Sequence, residues 1–166
     1  MLRSAAFFFT ALAFLWLSGC ATYRPIPEDY SGPTATVNDS GAVEDGTKAQ
    51  LYVLAAIDGH AIKTSLDKTR DASHGKGFNL TAVVIGRRIQ AKPTKVKLIA
   101  THVTAAPIHE FASRVAGIFF AVEGEVEFSP VADSTYVIRG DLQKEGSSVW
   151  IEDSQTKERV AEVVAK

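Results

Sequence analysis

STYVIRGDLQKEGSSVWIEDS, residues 134–154, reads as two strands joined by a short turn. Tyr136, Ile138 and Leu142 fall on one face of the first strand, and Arg139, Asp141 and Gln143 on the other. A two-residue period marks a half-buried strand, because successive side chains leave the pleat in opposite directions. Val149 and Ile151 alternate in the same way with Trp150 and Glu152. Ile138, Val149 and Ile151 are therefore expected in a core. Trp150 is expected on the outer face between Arg139 and Glu152, its ring open to a partner, since tryptophan is a frequent interface anchor.

The same grammar extends upstream. EGEVEFSP, residues 123–130, puts Val126 and Phe128 opposite Glu123, Glu125 and Glu127. Such a carboxylate row can coordinate calcium, but it more simply keeps an outer sheet face soluble and blocks edge pairing. TKVKLIATHV (94–103) alternates Val96 and Leu98 with Lys95 and Lys97. AQLYVLAAIDG (49–59) and FNLTAVVIG (78–86) are strand-length runs, the first closed by the Asp58-Gly59 turn signal. ERVAEVVAK (158–166) is a last candidate, and Thr34 to Val37 is a candidate edge strand before an acidic, turn-rich loop, Asn38 to Gly46. Turns at Val131–Asp133, Lys144–Gly146 and Ser154–Lys157 are short, which implies antiparallel hairpins. In APIHEFASRVAGIFFA (106–121), Pro107 can open a helix, Ile108, Phe111 and Val115 sit at helical spacing and Gly117 would end it, which reads as a single helical turn inside a sandwich connection. The expectation is an all-β antiparallel sandwich of about seven or eight strands with at most one short helix.

The N-terminus is built differently. Arg3 precedes an apolar run, Ala5 to Leu17, interrupted by Thr10. A bilayer core needs about 20 apolar residues, so the run fits a signal peptide better than a spanning helix. Leu17-Ser18-Gly19-Cys20 follows at once, and it holds the chain's only cysteine. These four residues resemble the lipobox of bacterial lipoproteins. The resemblance implies cleavage before Cys20 and lipidation of its thiol and new N-terminus. The alternative is an ordinary signal peptide with a chance cysteine. Residues 1–19 are thus expected as signal peptide, 20–33 as a lipidated, proline-rich tether, and 34–166 as the folded domain. Ala21 in place of aspartate implies, by the same resemblance, the outer membrane with the domain facing the periplasm.

Eighteen Lys and Arg balance nineteen Asp and Glu, for a net charge of −1. No basic stripe suggests nucleic acid. With its one thiol spent on a lipid, the chain has none left for disulfides, thiolate catalysis or cysteine metal sites. LYVLAAIDGHAIKTS (51–65) and PTKVKLIATH (93–102) resemble the PEGA-type carrier domains of the bacterial envelope, although the Pro-Glu-Gly-Ala motif itself is absent. That resemblance implies an immunoglobulin-like or transthyretin-like sandwich and no enzymatic activity. YVIRGDLQKEGSSVWIED (136–153) is similar to small envelope lipoproteins.

Candidate chemistry is sparse. His60, His74, His102 and His109 form neither HExxH nor HxH. HGKGF (74–78) lacks the longer glycine pattern and following helix of a phosphate loop. No GxSxG marks a serine nucleophile. No catalytic residue, metal or cofactor is expected. KTSLDKTRDASHGK (63–76) reads as a long polar loop, and long loops are often functional. Two readings follow. The first is a lipid-anchored, non-catalytic module that binds an envelope protein or polymer. The second is an envelope enzyme or small-ligand carrier with a loop site around Arg70, His74 and His102.

Overall fold

The computed structural model describes residues 23–166. The chain runs β1 (Thr34–Asn38), β2 (Ser40–Val43), β3 (Lys48–Ile57), β4 (His60–Ala61), α1 (Ser65–Ser73), β5 (Gly86–Gln90), β6 (Thr94–Thr104), α2 (Pro107–Val115), β7 (Ala121–Phe128), β8 (Thr135–Asp141), β9 (Ser148–Asp153) and β10 (Val164–Ala165). One sheet has the order β10-β9-β8-β1-β5, the other β2-β3-β6-β7 with β4 paired to β3. Between them lies one core, built from Val37, Leu54, Val96, Leu98, Val126, Phe128, Ile138, Val149, Ile151 and their neighbours.

The alternation read from sequence places these side chains. Ile138, Val149 and Ile151 are fully buried, and Trp150 points to the other face. Arg139 and Trp150 face each other across the β8–β9 hairpin. Asp58 (φ 48°) and Gly59 (φ 77°) form the two-residue turn between β3 and β4. Positive φ at both positions is what a twist-matched hairpin turn requires. Gly140 occupies an inward position on β8, where a Cβ would lie 2.6 Å from the Tyr52 ring of the facing sheet. The missing side chain makes room for that tyrosine.

Several expectations are corrected. There are two helices among the described residues, not at most one. Among the described residues there are ten strands, two of them only two residues long. The sheets are not purely antiparallel, because β1 runs parallel to β8. Thr34–Asn38 is no edge strand: it sits between β8 and β5. The presumed Asn38–Gly46 loop contains β2. The short β7–β8 connection is not a hairpin but carries the chain from one sheet to the other, with Val131 N–H donating to Tyr136 Oη at 2.9 Å. ERVAEVVAK contributes only β10 and a bridge between Arg159 and Glu152.

The polar stretch 63–76 is α1 and its flanks. Thr64 caps it: its hydroxyl accepts from Asp67 N–H at 3.2 Å, and the Asp67 carboxylate accepts from Thr64 N–H at 2.8 Å. That reciprocal capping box satisfies two otherwise orphan donors. Residues 78–86, read as a strand, pair with no strand before Gly86. They lie along α1 instead. Thr81 N–H donates to Ser73 Oγ (2.9 Å), Val83 N–H to Thr69 Oγ1 (2.9 Å) and Ile85 N–H to Ser65 Oγ (3.0 Å). Four helical residues rise about 6 Å, and two extended residues rise about 6.6 Å. Hydroxyls four apart on the helix therefore match amides two apart on the extended chain.

Asp39 marks the point where the chain leaves one sheet for the other. Its carboxylate is fully buried and forms a two-pronged pair with Arg87 (2.9 and 2.6 Å). It also accepts from Leu54 N–H (3.0 Å), Ser65 N–H (2.9 Å) and Ser65 Oγ–H (2.8 Å). One side chain thus joins β3, β5 and the first turn of α1.

Candidate functional site

The strands give the molecule two poles. At one, Tyr23 stacks on His60 with ring centroids 4.6 Å apart and packs against the main core. This part of the stretch read as a tether therefore lies on the domain. With Pro25, Ile57, Ile89 and Thr94, Tyr23 lines a small surface recess. At the other pole, beyond Thr104 and Lys48, stand α2, the β2–β3 turn and Phe78. The eleven residues of β6 separate the poles, about 36 Å at 3.3 Å per residue.

A polar cluster fills the sandwich mouth at this second pole. Lys48, Gln50 and Tyr52 are successive inward residues of β3, and His102 lies opposite Gln50 in register. Tyr52 Oη–H donates to Gln50 Oε1 (2.7 Å), and Gln50 Nε2–H donates to Glu44 Oε1 (2.8 Å). His102 Nε2 is 2.9 Å from Glu44 Oε1, and Lys48 Nζ is 3.2 Å from Glu44 Oε2. Phe120 N–H donates to His102 Nδ1 at 3.0 Å. Burial, helped by the Lys48 charge, holds the His102 pKa below its ordinary value despite Glu44. In the neutral ring the proton belongs on Nε2, which faces the Glu44 carboxylate, while Nδ1 lies beside both Phe120 N–H (3.0 Å) and Phe120 C=O (3.2 Å). Glu44 feels a raising effect from burial. Hydrogen bonds from Gln50 and Lys48, with the charges of His102 and Lys48, outweigh it and hold the carboxyl low. Burial, then the charges of Asp141 and Glu44, raises the Tyr52 phenol.

This network is closed upon itself, and its members are spent on one another. It braces the mouth. A cleft of about 420 Å³ adjoins it, lined by Phe119, Phe120, the 143–147 turn and Lys166.

The residues singled out from sequence do not assemble into one site. Arg70 lines a groove of about 670 Å³ on the outer face of β6 and β7, with Leu66, Ile99, Thr101, Glu123 and Lys166. His102 faces the opposite side of the same sheet. His74 caps the C-terminus of α1 and is exposed. Trp150 is half-buried on its own outer face, where the Arg159 guanidinium lies 4.5 Å from its ring centroid. One face of the ring is thus already occupied, and Nε1 is buried with no hydrogen-bond partner among the described residues. The Glu123, Glu125 and Glu127 row is exposed, and Lys97 and Lys95 of β6 pair with Glu123 (3.1 Å) and Glu125 (3.3 Å). Leu17, Ser18, Gly19 and Cys20 lie outside the described residues.

Sequence reasoning placed α2, but as a single turn where the helix has nine residues, and missed how it is turned. Ile108, Phe111 and Val115 are 66, 70 and 73% exposed, and Ala112 is exposed beside them. His109, Glu110 and Ser113 are the half-buried residues. The helix therefore shows its apolar stripe to solvent and its polar side to the domain. It is held at its margins. Thr104 Oγ1–H donates to Ala106 C=O (3.0 Å), Lys48 Nζ to Ile118 C=O (2.9 Å), and His109 stacks on Phe78 at 4.7 Å. Arg114 pairs with Glu110 (2.8 Å) and lies over Phe119 (4.0 Å). Among the described residues no helix is long and apolar enough to cross a membrane. Comparison with protein-family models, with curated proteins and with solved structures finds no match for this chain.

Proposed function

We propose that this is a lipid-anchored protein of the bacterial envelope whose β-sandwich serves as a non-catalytic binding module. On this reading Cys20 carries the lipid at the outer membrane, the domain faces the periplasm, and the sandwich is of the immunoglobulin-like or transthyretin-like kind. The observation that carries it is the polarity of the fold. Tyr23, three residues after Cys20, is fixed at one pole, while the exposed apolar stripe of α2 stands at the other. Three extended residues reach about 10 Å. An anchor at Cys20 would hold the first pole at the bilayer and offer the second to a partner.

Labelled fatty acid is expected to enter the wild-type chain and to sediment with the outer membrane. Cys20→Ala is expected to leave an unlabelled precursor. Label entering the Cys20→Ala chain would refute the anchor. Small-ligand carriage is the second reading, favoured by the Arg70 groove with its Leu66 and Ile99 floor, not by a histidine cluster.

A further inference from the structure

We infer that the groove between α1 and the outer face of β6 and β7 binds a single-chain anionic amphiphile, with its alkyl chain on Leu66 and Ile99 and its carboxylate or phosphate on Arg70. The groove exists because α1 covers only part of its sheet. Leu66 packs with Leu51, Val53 and Val103 over β3 and β6. Beyond it, Ala121 and Glu123 of β7 are exposed. The step from helix to bare strand leaves about 670 Å³, closed at its far end by Ala165 and Lys166. Sites for small ligands have volumes of about 300–1,000 Å³.

The floor is apolar and recessed. Leu66 is 8% exposed and Ile99 is half-buried. A flat protein surface does not reach such side chains, whereas a flexible alkyl chain lying in the groove does. Arg70 follows Leu66 by four residues, so it stands one turn along the same helix face, and its side chain lines the groove. A guanidinium receives carboxylate and phosphate alike through paired N–H donors. The neighbouring carboxylates are engaged elsewhere. Lys97 Nζ holds Glu123 at 3.1 Å. Asp67, three residues before Arg70, is turned to Thr64, accepting from its N–H at 2.8 Å and its hydroxyl at 2.9 Å. Among the described residues no carboxylate lies within ion-pair distance of Arg70. An unpaired cation at the rim of an apolar groove selects an anion with an apolar body over a neutral or cationic ligand. The inference rests on the small-ligand reading of this groove and names its ligand class; it is independent of the lipid on Cys20.

The test uses the full chain in isolated envelopes, with a diazirine-bearing fatty acid as probe and the matching diazirine alcohol beside it. Peptide mapping of the adducts separates the groove from any lipid on Cys20. The acid probe should label the peptides of Leu66 to Arg70 or Ile99 to Thr101 saturably. Unlabelled fatty acid and lysophosphatidate should compete at least tenfold better than the alcohol of equal chain length, and the stronger of the two names the headgroup. Arg70→Glu should cut the labelling at least tenfold, and Arg70→Lys should retain part of it. Lys68→Glu, the same charge change at an exposed residue of the same helix, should leave it unchanged. Groove labelling by the alcohol as strong as by the acid, or wild-type labelling of Arg70→Glu, overturns the anionic class and leaves the groove a carrier of neutral ligands. No saturable labelling of the groove by either probe overturns the inference and the small-ligand reading together, as do adducts confined to Ile108–Val115.

Discussion

His102 shows what one side chain does at this mouth. It is held neutral by burial, and its two ring nitrogens already have fixed duties toward Glu44 and Phe120. Protonating Nδ1 would exchange the hydrogen bond from Phe120 N–H for one donated to Phe120 C=O. Because the folded pKa is depressed, the unfolded chain takes up the proton first. The stability His102 confers is therefore complete above the unfolded value of about 6.5 and declines as pH falls below it. One group contributes a slope of at most about 1.4 kcal/mol per pH unit. Glu44, also depressed, adds its own loss at lower pH, below the ordinary carboxylate range. Denaturant melts between pH 7.5 and 5.5 should show the wild type losing stability with acid and His102→Gln losing less. Parallel profiles for the two would show that another group titrates.

At the level of elements, the alternating strands β6, β7, β8 and β9 were legible because half-buried strands write their burial directly into a two-residue period, whereas β3, buried on both faces, was read from its strand-length apolar run and the Asp58-Gly59 turn. α1 was not, for a physical reason. Its buried face is Ser65, Leu66, Thr69 and Ser73, mostly hydroxyls that bond a neighbouring backbone, so no apolar helical period exists to be read. The capping box Thr64-Ser65-Leu66-Asp67 was the available signal. Residues 78–86 have strand composition and an extended run, yet their partners are helix side chains, and composition does not identify a partner. Thr69→Val keeps the shape of the middle rung and removes its hydroxyl. Leaving Val83 N–H without its acceptor should cost about 1–3 kcal/mol in urea melts, while Thr69→Ser should cost less. Hydrogen exchange at Val83 should quicken in the valine variant only. Equal costs for valine and serine would mean that packing, not the hydrogen bond, holds this segment.

For the molecule as a whole, the two-layer β architecture followed from patterning, but the joinery between layers did not. Asp39 stood within an apparent acidic loop, and nothing in its immediate sequence announces Arg87 or the α1 amides as partners. Removing it would strand a guanidinium and two buried amides together. Asp39→Ala should cost about 3–5 kcal/mol, read as a shift of the urea midpoint, and a loss under 1 kcal/mol would show that water replaces the carboxylate. The candidate binding pole was equally hidden, because a helical pattern fixes which residues share a face and not whether that face turns inward. One further property follows from the placement of β1. It leaves the Tyr23 pole between a parallel neighbour, β8, and an antiparallel one, β5, then passes through Asp39 into the other sheet as β2. Tension between an anchored N-terminus and a load gripped at α2 would run lengthwise along this path. Its ladders would be loaded in shear, every rung at once, and not peeled open one by one. A sandwich threaded in this way is suited to bearing a pull between its two ends.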